Sequence, residues 1–216
     1  MGGSRGYLTL GRWEGARVRA HWTLPLGALV FGGGRFVPGF WLGFFLLVLI
    51  HEVGHALLVR RRGYRVVSID IHGVGGECRW QGEATPIHRA QIAWGGVHAQ
   101  LLAFAVAAGV MAVVGEPRDV FTAELASAFT TTNVMLIALN LIPVPPLDGA
   151  EAWKLPRLLR ERAARRAARA QGDVRTAVER ELARLDASDR AAPASASGES
   201  VDEALRRLAG PPKKGN

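Results

Sequence analysis

Three mostly apolar stretches, 37–59, 90–114 and 120–142, constrain this chain more than any other feature, because about 20 such residues let a helix cross the hydrocarbon layer of a bilayer. A shorter stretch at 22–34 ends in Gly32-Gly33-Gly34-Arg35, with Pro38 just beyond. That is the signature of a tight turn between antiparallel spans, and the stretch reads as a first span once flanking residues such as His21 are drawn in. The expected fold is an all-α polytopic membrane protein with about four transmembrane helices.

The basic residues support that number. Four spans place residues 1–21, the 60–89 loop and the tail on one side, where they hold 4, 6 and 15 Lys and Arg, and leave only Arg35 and Arg118 on the other. Short cytoplasmic loops are enriched in these residues. Both termini are therefore expected on the cytoplasmic face, and the chain is expected in a bacterial cytoplasmic membrane. Arg5, Arg12, Arg17 and Arg19 precede the apolar runs, and no small-residue cleavage site follows the first of them, so the spans are expected to be retained. The single cysteine, Cys78, excludes an internal disulfide and a Cys-based zinc finger. Any metal must be held by His and carboxylates.

Two domains are expected, a membrane core over 1–150 and a basic, Ala- and Arg-rich cytoplasmic helical tail over 151–216. Within the core, Ile69 and Ile71 alternate with Ser68, Asp70 and His72 before Gly73-Val74-Gly75-Gly76, which predicts a small membrane-surface β-hairpin. Within the tail, 155–185 favours a charged helix, 191–200 a flexible linker and 201–208 a short final helix. The tail's 15 basic residues are interleaved with 10 acidic ones. That balance suits the anionic lipid surface of the membrane or a regulatory protein, and no nucleic acid is expected.

His51-Glu52-Val53-Gly54-His55 is an H-E-x-x-H motif on the helix predicted over 37–59. The i, i+4 spacing sets both imidazoles on one face, where they can share one Zn²⁺, and Glu52 can take a proton from a water that the metal activates. A helix pair of histidines beside an ion-paired Glu is the ordinary alternative. It is weakened here because ionisable groups are costly inside a membrane span, and these follow the run Phe44-Phe45-Leu46-Leu47-Val48-Leu49-Ile50 directly. Catalytic zinc usually takes three protein ligands, and Asp148 is the candidate third. It follows the last span in Asn140-Leu141-Ile142-Pro143-Val144-Pro145-Pro146-Leu147-Asp148-Gly149, where the prolines stop the helix. The topology above sets it and the motif toward the same membrane face. His98 is a rival ligand; His21 and His88 read as interfacial side chains.

These two motifs, in this order and span spacing, closely resemble those of the site-2 protease family of intramembrane zinc metallopeptidases, over about residues 18–150. The resemblance implies one zinc per chain and cleavage of transmembrane segments of single-span membrane proteins. It also implies that Asn140 helps hold the substrate backbone and that the hairpin near Gly75 pairs with an unwound substrate as an added strand. Where the family commonly has Gly-Pro-x-x-Asn, this chain has Gly96-Val97-His98-Ala99-Gln100, so Gln100 is the candidate substitute for that polar substrate contact. The 60–89 loop and the tail leave little room for the PDZ or nucleotide-sensing domains that some members carry, which implies a minimal member. A catalytically silent scaffold or chaperone that keeps the zinc site is the main alternative. A metal transporter ranks below it, because its ionisable residues would be spread through several spans.

Overall fold

The structure, a computed structural model, describes residues 6–191. The chain divides into two compact units that meet between Arg160 and Glu161. The first contains β1 (Tyr7–Trp13), β2 (Ala16–His21), α1 (Leu24–Phe31), α2 (Pro38–Arg61), β3 (Arg65–His72), β4 (Gly75–Gln81), α3 (Pro86–Val114), α4 (Val120–Ser127), a π-helical turn (Ala128–Thr132), α5 (Asn133–Asn140) and the short α6 (Gly149–Ala152). α7 (Leu155–Ala191) starts there, and its residues 161–191 are what the structure describes of the second unit. Its side chains from Arg162 to Leu185 are exposed. The linker expected at 191–200, save its first residue, and the helix expected at 201–208 lie outside the described residues.

Among the described residues, Pro38–Arg61, Pro86–Val114 and the continuous Val120–Asn140 are the three helices long and apolar enough to cross a membrane. α2 is the central one, with 56% of its apolar window buried against 11% and 22% for the other two. It starts at Pro38, which suits the first helical turn because its missing N–H would have no partner there. α3 starts likewise at Pro86 after Thr85, whose Oγ1 accepts the His88 N–H at 3.2 Å. α2 and α3 meet backbone to backbone. A Cβ at Gly54 would lie 2.3 Å from the Gly95 carbonyl oxygen, and a Cβ at Gly95 2.6 Å from that of Gly54. Only paired glycines permit this approach, the usual device for close helix packing in membranes.

Two expectations need correction. The stretch at 22–34 is not a full helical span: α1 has eight residues, about 12 Å of helix against a hydrocarbon layer of about 30 Å. Pro25 lies in its first turn, and Gly33 and Gly34, at φ +69° and +78°, end it in a conformation that side chains disfavour. The chain nevertheless traverses the length of α2, with β2 running parallel to β3 and α1 continuing toward Phe44.

The second correction concerns the hairpin, which is half of a four-stranded sheet of order β1-β2-β3-β4. β1 and β2 join through Glu14 and Gly15 at φ +48° and +88°, the positive pair that a two-residue hairpin turn requires. Arg19 stands opposite Asp70 across the β2–β3 pairing. Its Nε and Nη2 donate to the two carboxylate oxygens, each at 2.6 Å, and Ser68 Oγ donates at 3.1 Å. Asp70 is fully buried, so these donors offset the loss of its hydration. Ile69 and Val66 meet Ala56, Val59 and Ile92 beneath the sheet, which holds it against α2 and α3.

Candidate metal centre

His51 and His55 lie one turn apart on α2, and both are buried. His55 Nδ1 is 2.7 Å from the Ile92 carbonyl oxygen, which can only accept, so Nδ1 carries the proton. His51 Nδ1 is 2.9 Å from Gln100 Oε1, an acceptor of the same kind. A neutral imidazole donates through one nitrogen only, so both Nε2 atoms are left with lone pairs. They face each other at 3.0 Å, and Asp148 Oδ2 lies 2.8 Å from the first and 3.1 Å from the second. Three lone-pair atoms thus meet with no proton to share, which is a cation site by its chemistry. Ligand atoms around tetrahedral zinc, at bonds of about 2.0 Å, stand about 3.3 Å apart. This triangle is a few tenths of an ångström tighter, and its residues fit that ion.

Glu52 is 3% exposed, and the ligand-capable atoms of His51, Glu52 and His55 lie within 4.8 Å of one another. β4 closes over it at Gly76, where a Cβ would fall 2.4 Å from Glu52 Oε1. α3 approaches His51 in the same way, since a Cβ at Gly96 would fall 2.3 Å from His51 Cε1.

Asp148 comes from outside the helices, so its loop has to be tied down. Trp153 Nε1 donates to the Leu141 carbonyl at 2.7 Å, and Trp94 Nε1 on α3 donates to the Ala152 carbonyl at 3.0 Å. The two indoles meet edge to face at 5.5 Å.

His51, Glu52, His55 and Asp148 border a cavity of about 860 Å³ that also reaches Asn140 and, along β4, Gly75, Gly76, Glu77, Cys78 and Trp80. β4 is an edge strand, so it carries unpaired backbone groups. A more apolar groove of about 1010 Å³ lies against Leu49, Val53 and Leu57 of α2 and contains none of these residues.

No protein-family model matches the chain. Two curated sequences do, both named "Putative zinc metalloprotease Rip3", from the Erdman and H37Rv strains of Mycobacterium tuberculosis. Each is 32% identical over 166 residues, covering 67% of this chain and 42% of the relative. The chain therefore spans less than half the length of those relatives. Its fold is similar to that of the site-2 protease from Methanocaldococcus jannaschii, with a TM-score of 0.51 and 22% identity, covering 68% of this chain and 70% of that one. The chain is thus similar in sequence to proteins named as zinc metalloproteases, and it has the fold of a site-2 protease.

With that fold and three helices long and apolar enough to cross a membrane, it is an integral membrane protein. The residues singled out in its sequence have distinct surroundings. His51, Glu52, His55 and Asp148 converge. Asn140 and Gly75 border the same cavity. Gln100 is 1% exposed and stands behind the His51 imidazole. His98, two positions away and so about 200° around α3, is exposed and stacks on Trp94 at 5.8 Å, away from the Nε2 pair. His21 Nδ1 meets Thr23 Oγ1 at 2.8 Å, and His88 Nδ1 meets Tyr64 Oη at 2.7 Å. The Ile92 carbonyl, Gly76, Trp94, Trp153 and Asn133 escaped the sequence reading. Asn133, fully buried, donates from Nδ2 to the Gln100 carbonyl at 2.9 Å. A polar residue inside an apolar run was the one available signal for it.

Proposed function

We propose that this protein is a zinc-dependent intramembrane endopeptidase that cuts transmembrane segments of single-span membrane proteins. The observation that carries the reading is the meeting of three unprotonated ligand atoms beside a buried glutamate, at the edge of a strand. His51, His55 and Asp148 would hold one zinc per chain. When bound, zinc supplies Lewis-acid activation of water and of a carbonyl.

Glu52 takes the proton of the attacking water and passes it to the leaving amine as the peptide C–N bond breaks. Gln100 and the Ile92 carbonyl each hold an Nδ1–H and so aim Nε2 at the metal position. That gives Gln100 a supporting role in place of the substrate contact expected of it. β4 offers its free edge near Gly75 to an extended substrate segment, with Asn140 opposite as a further backbone contact. A helical substrate must unwind first, because its peptide groups are tied up in its own hydrogen bonds, and Gly or Pro near the cut favours this.

In the proposed topology the termini and the sheet lie on the cytoplasmic face of a bacterial cytoplasmic membrane. The core is residues 1–150, and the tail from 151 meets the lipid surface or a regulatory protein. His51 and His55 then lie roughly 10 Å inside that face, counted back from Arg60 at 1.5 Å per residue, so the cut falls in the cytoplasmic half of the substrate span. The test compares the membrane proteomes of cells carrying wild-type protein and Glu52→Gln. Uncut single-span proteins accumulate in the variant, and mass spectrometry maps their wild-type cut sites to the cytoplasmic half. Identical proteomes from proteins equally loaded with zinc would favour the silent scaffold.

A further inference from the structure

The carboxylates bordering the catalytic cavity each have a cation or an imidazole beside them. Glu77 Oε2 accepts from Arg79 Nε at 2.9 Å, Glu151 Oε1 from Lys154 Nζ at 2.5 Å, and Asp148 and Glu52 lie against the two histidines. Arg89 borders the same cavity from the first turn of α3. It is exposed, and it has no ion pair among the described residues. The rim therefore presents one uncompensated guanidinium, a donor fork shaped for a carboxylate.

Its place along the strand follows from its neighbours. Tyr64 hydrogen-bonds His88, the residue before Arg89, and its ring lies 5.4 Å from that of Trp80. A Cβ at Gly82 would touch the same tyrosine at 2.5 Å. The start of α3 is thereby set beside the Trp80–Gly82 end of β4, whereas Gly76 touches Glu52. Gln81 lies five positions beyond Gly76, about 17 Å of strand. A peptide lying along β4 with its scissile carbonyl beside Glu52 brings a side chain about five positions away to Arg89. That end of β4 pairs with the start of β3, just after the Arg60–Arg62 cluster, which in the proposed topology is the cytoplasmic side of the cut.

We propose that Arg89 is a specificity-determining residue that binds an acidic side chain of the substrate, about five residues to the cytoplasmic side of the scissile bond. The inference rests on the endopeptidase reading and on strand addition at β4.

The test uses the full chain in phosphatidylcholine vesicles, whose neutral lipid leaves the guanidinium free. The probes are single-span Leu/Ala peptides with a central Gly-Pro, carrying Glu, Gln or Lys at successive positions three to seven residues cytoplasmic of the mapped cut. At one position near five, wild-type kcat/KM favours Glu over Lys by about tenfold, mainly through KM. Arg89→Glu inverts the preference, Arg89→Lys keeps it and Arg89→Gln brings the ratio close to one, with zinc content measured for each. If Arg89→Glu fails to fold, the ratio in Arg89→Gln decides. The same Glu preference in wild type and Arg89→Gln, or no preference in wild type while cleavage proceeds, overturns the role of Arg89 and leaves the protease standing. Failure to cut any peptide, or cutting that persists in Glu52→Gln, overturns the endopeptidase reading and this proposal with it.

Discussion

His51 Nδ1 and Gln100 Oε1 stand 2.9 Å apart across the α2–α3 contact, with the glutamine almost fully enclosed. The bond sets the tautomer and orientation of the imidazole, so that Nε2 faces Asp148. Gln100→Ala should weaken zinc binding by roughly 10–100-fold, measured by competition with a chromogenic chelator. Gln100→Glu, which keeps an acceptor in place, should lose less. Equal affinities for all three proteins would remove Gln100 from the metal's support.

The proposed ligands and the proposed base separate by their expected effect on metal content. His51→Ala, His55→Ala and Asp148→Ala should each lower zinc occupancy as well as activity, whereas Glu52→Gln should abolish cleavage with zinc near normal. His98→Ala should leave zinc unchanged, because its ring stacks on Trp94 away from the Nε2 pair. Elemental analysis of purified variants decides. Zinc lost in His98→Ala and retained in Asp148→Ala would exchange their assignments.

Two glycines keep the site open, each for a different side chain. The Cβ of Gly76→Ala would fall 2.4 Å from Glu52 Oε1 and 2.6 Å from its Cδ, so the carboxylate has to move. Cleavage should fall by about a hundredfold with zinc retained. Gly96→Ala presses on His51 Cε1 at 2.3 Å and should cost zinc affinity instead. Gly109→Ala, with nothing within 4 Å of the new methyl, is the control.

Cys78 on β4 reports whether the sheet stays closed. Burial, and after it the nearby Glu52, Glu77 and Asp70 carboxylates, push its thiol up to about 12. In the unfolded chain it titrates near 8.5. The folded state therefore favours the neutral thiol; this contribution to stability is complete below about pH 8.5 and is lost as pH rises toward the folded value. Labelling by N-ethylmaleimide at pH 8 should be much slower in the native protein than in the chain unfolded in denaturant, and equal rates would show that the strand opens freely.

Features that depend on a few neighbouring residues were legible in the sequence. Apolar length alone located the long helices closely, with 37–59 expected and Pro38–Arg61 found, because a helix apolar on all sides needs no partner to declare itself. The i, i+4 spacing of His51 and His55 set both rings on one face in the same way.

Strand pairing was less legible. Arg17-Val18-Arg19-Ala20-His21 alternates weakly and looked like topogenic charge, yet it is β2, and Arg19 neutralises the buried Asp70 at a separation of 51 residues. Without that pairing the residues before α1 had no visible partner, and the stretch at 22–34 was assigned to one spanning helix although α1 has eight residues.

By itself, then, the sequence determined the membrane-spanning helices and the candidate metal and base residues, because helix periodicity and motif chemistry are local. Only the tertiary structure decided that Gln100 supports His51, that His98 faces away and that β4 is the free edge beside Glu52. Those facts are distances between segments that meet only when α2, α3 and the sheet pack, and a backbone approach such as Gly54 to Gly95 sets them to within tenths of an ångström.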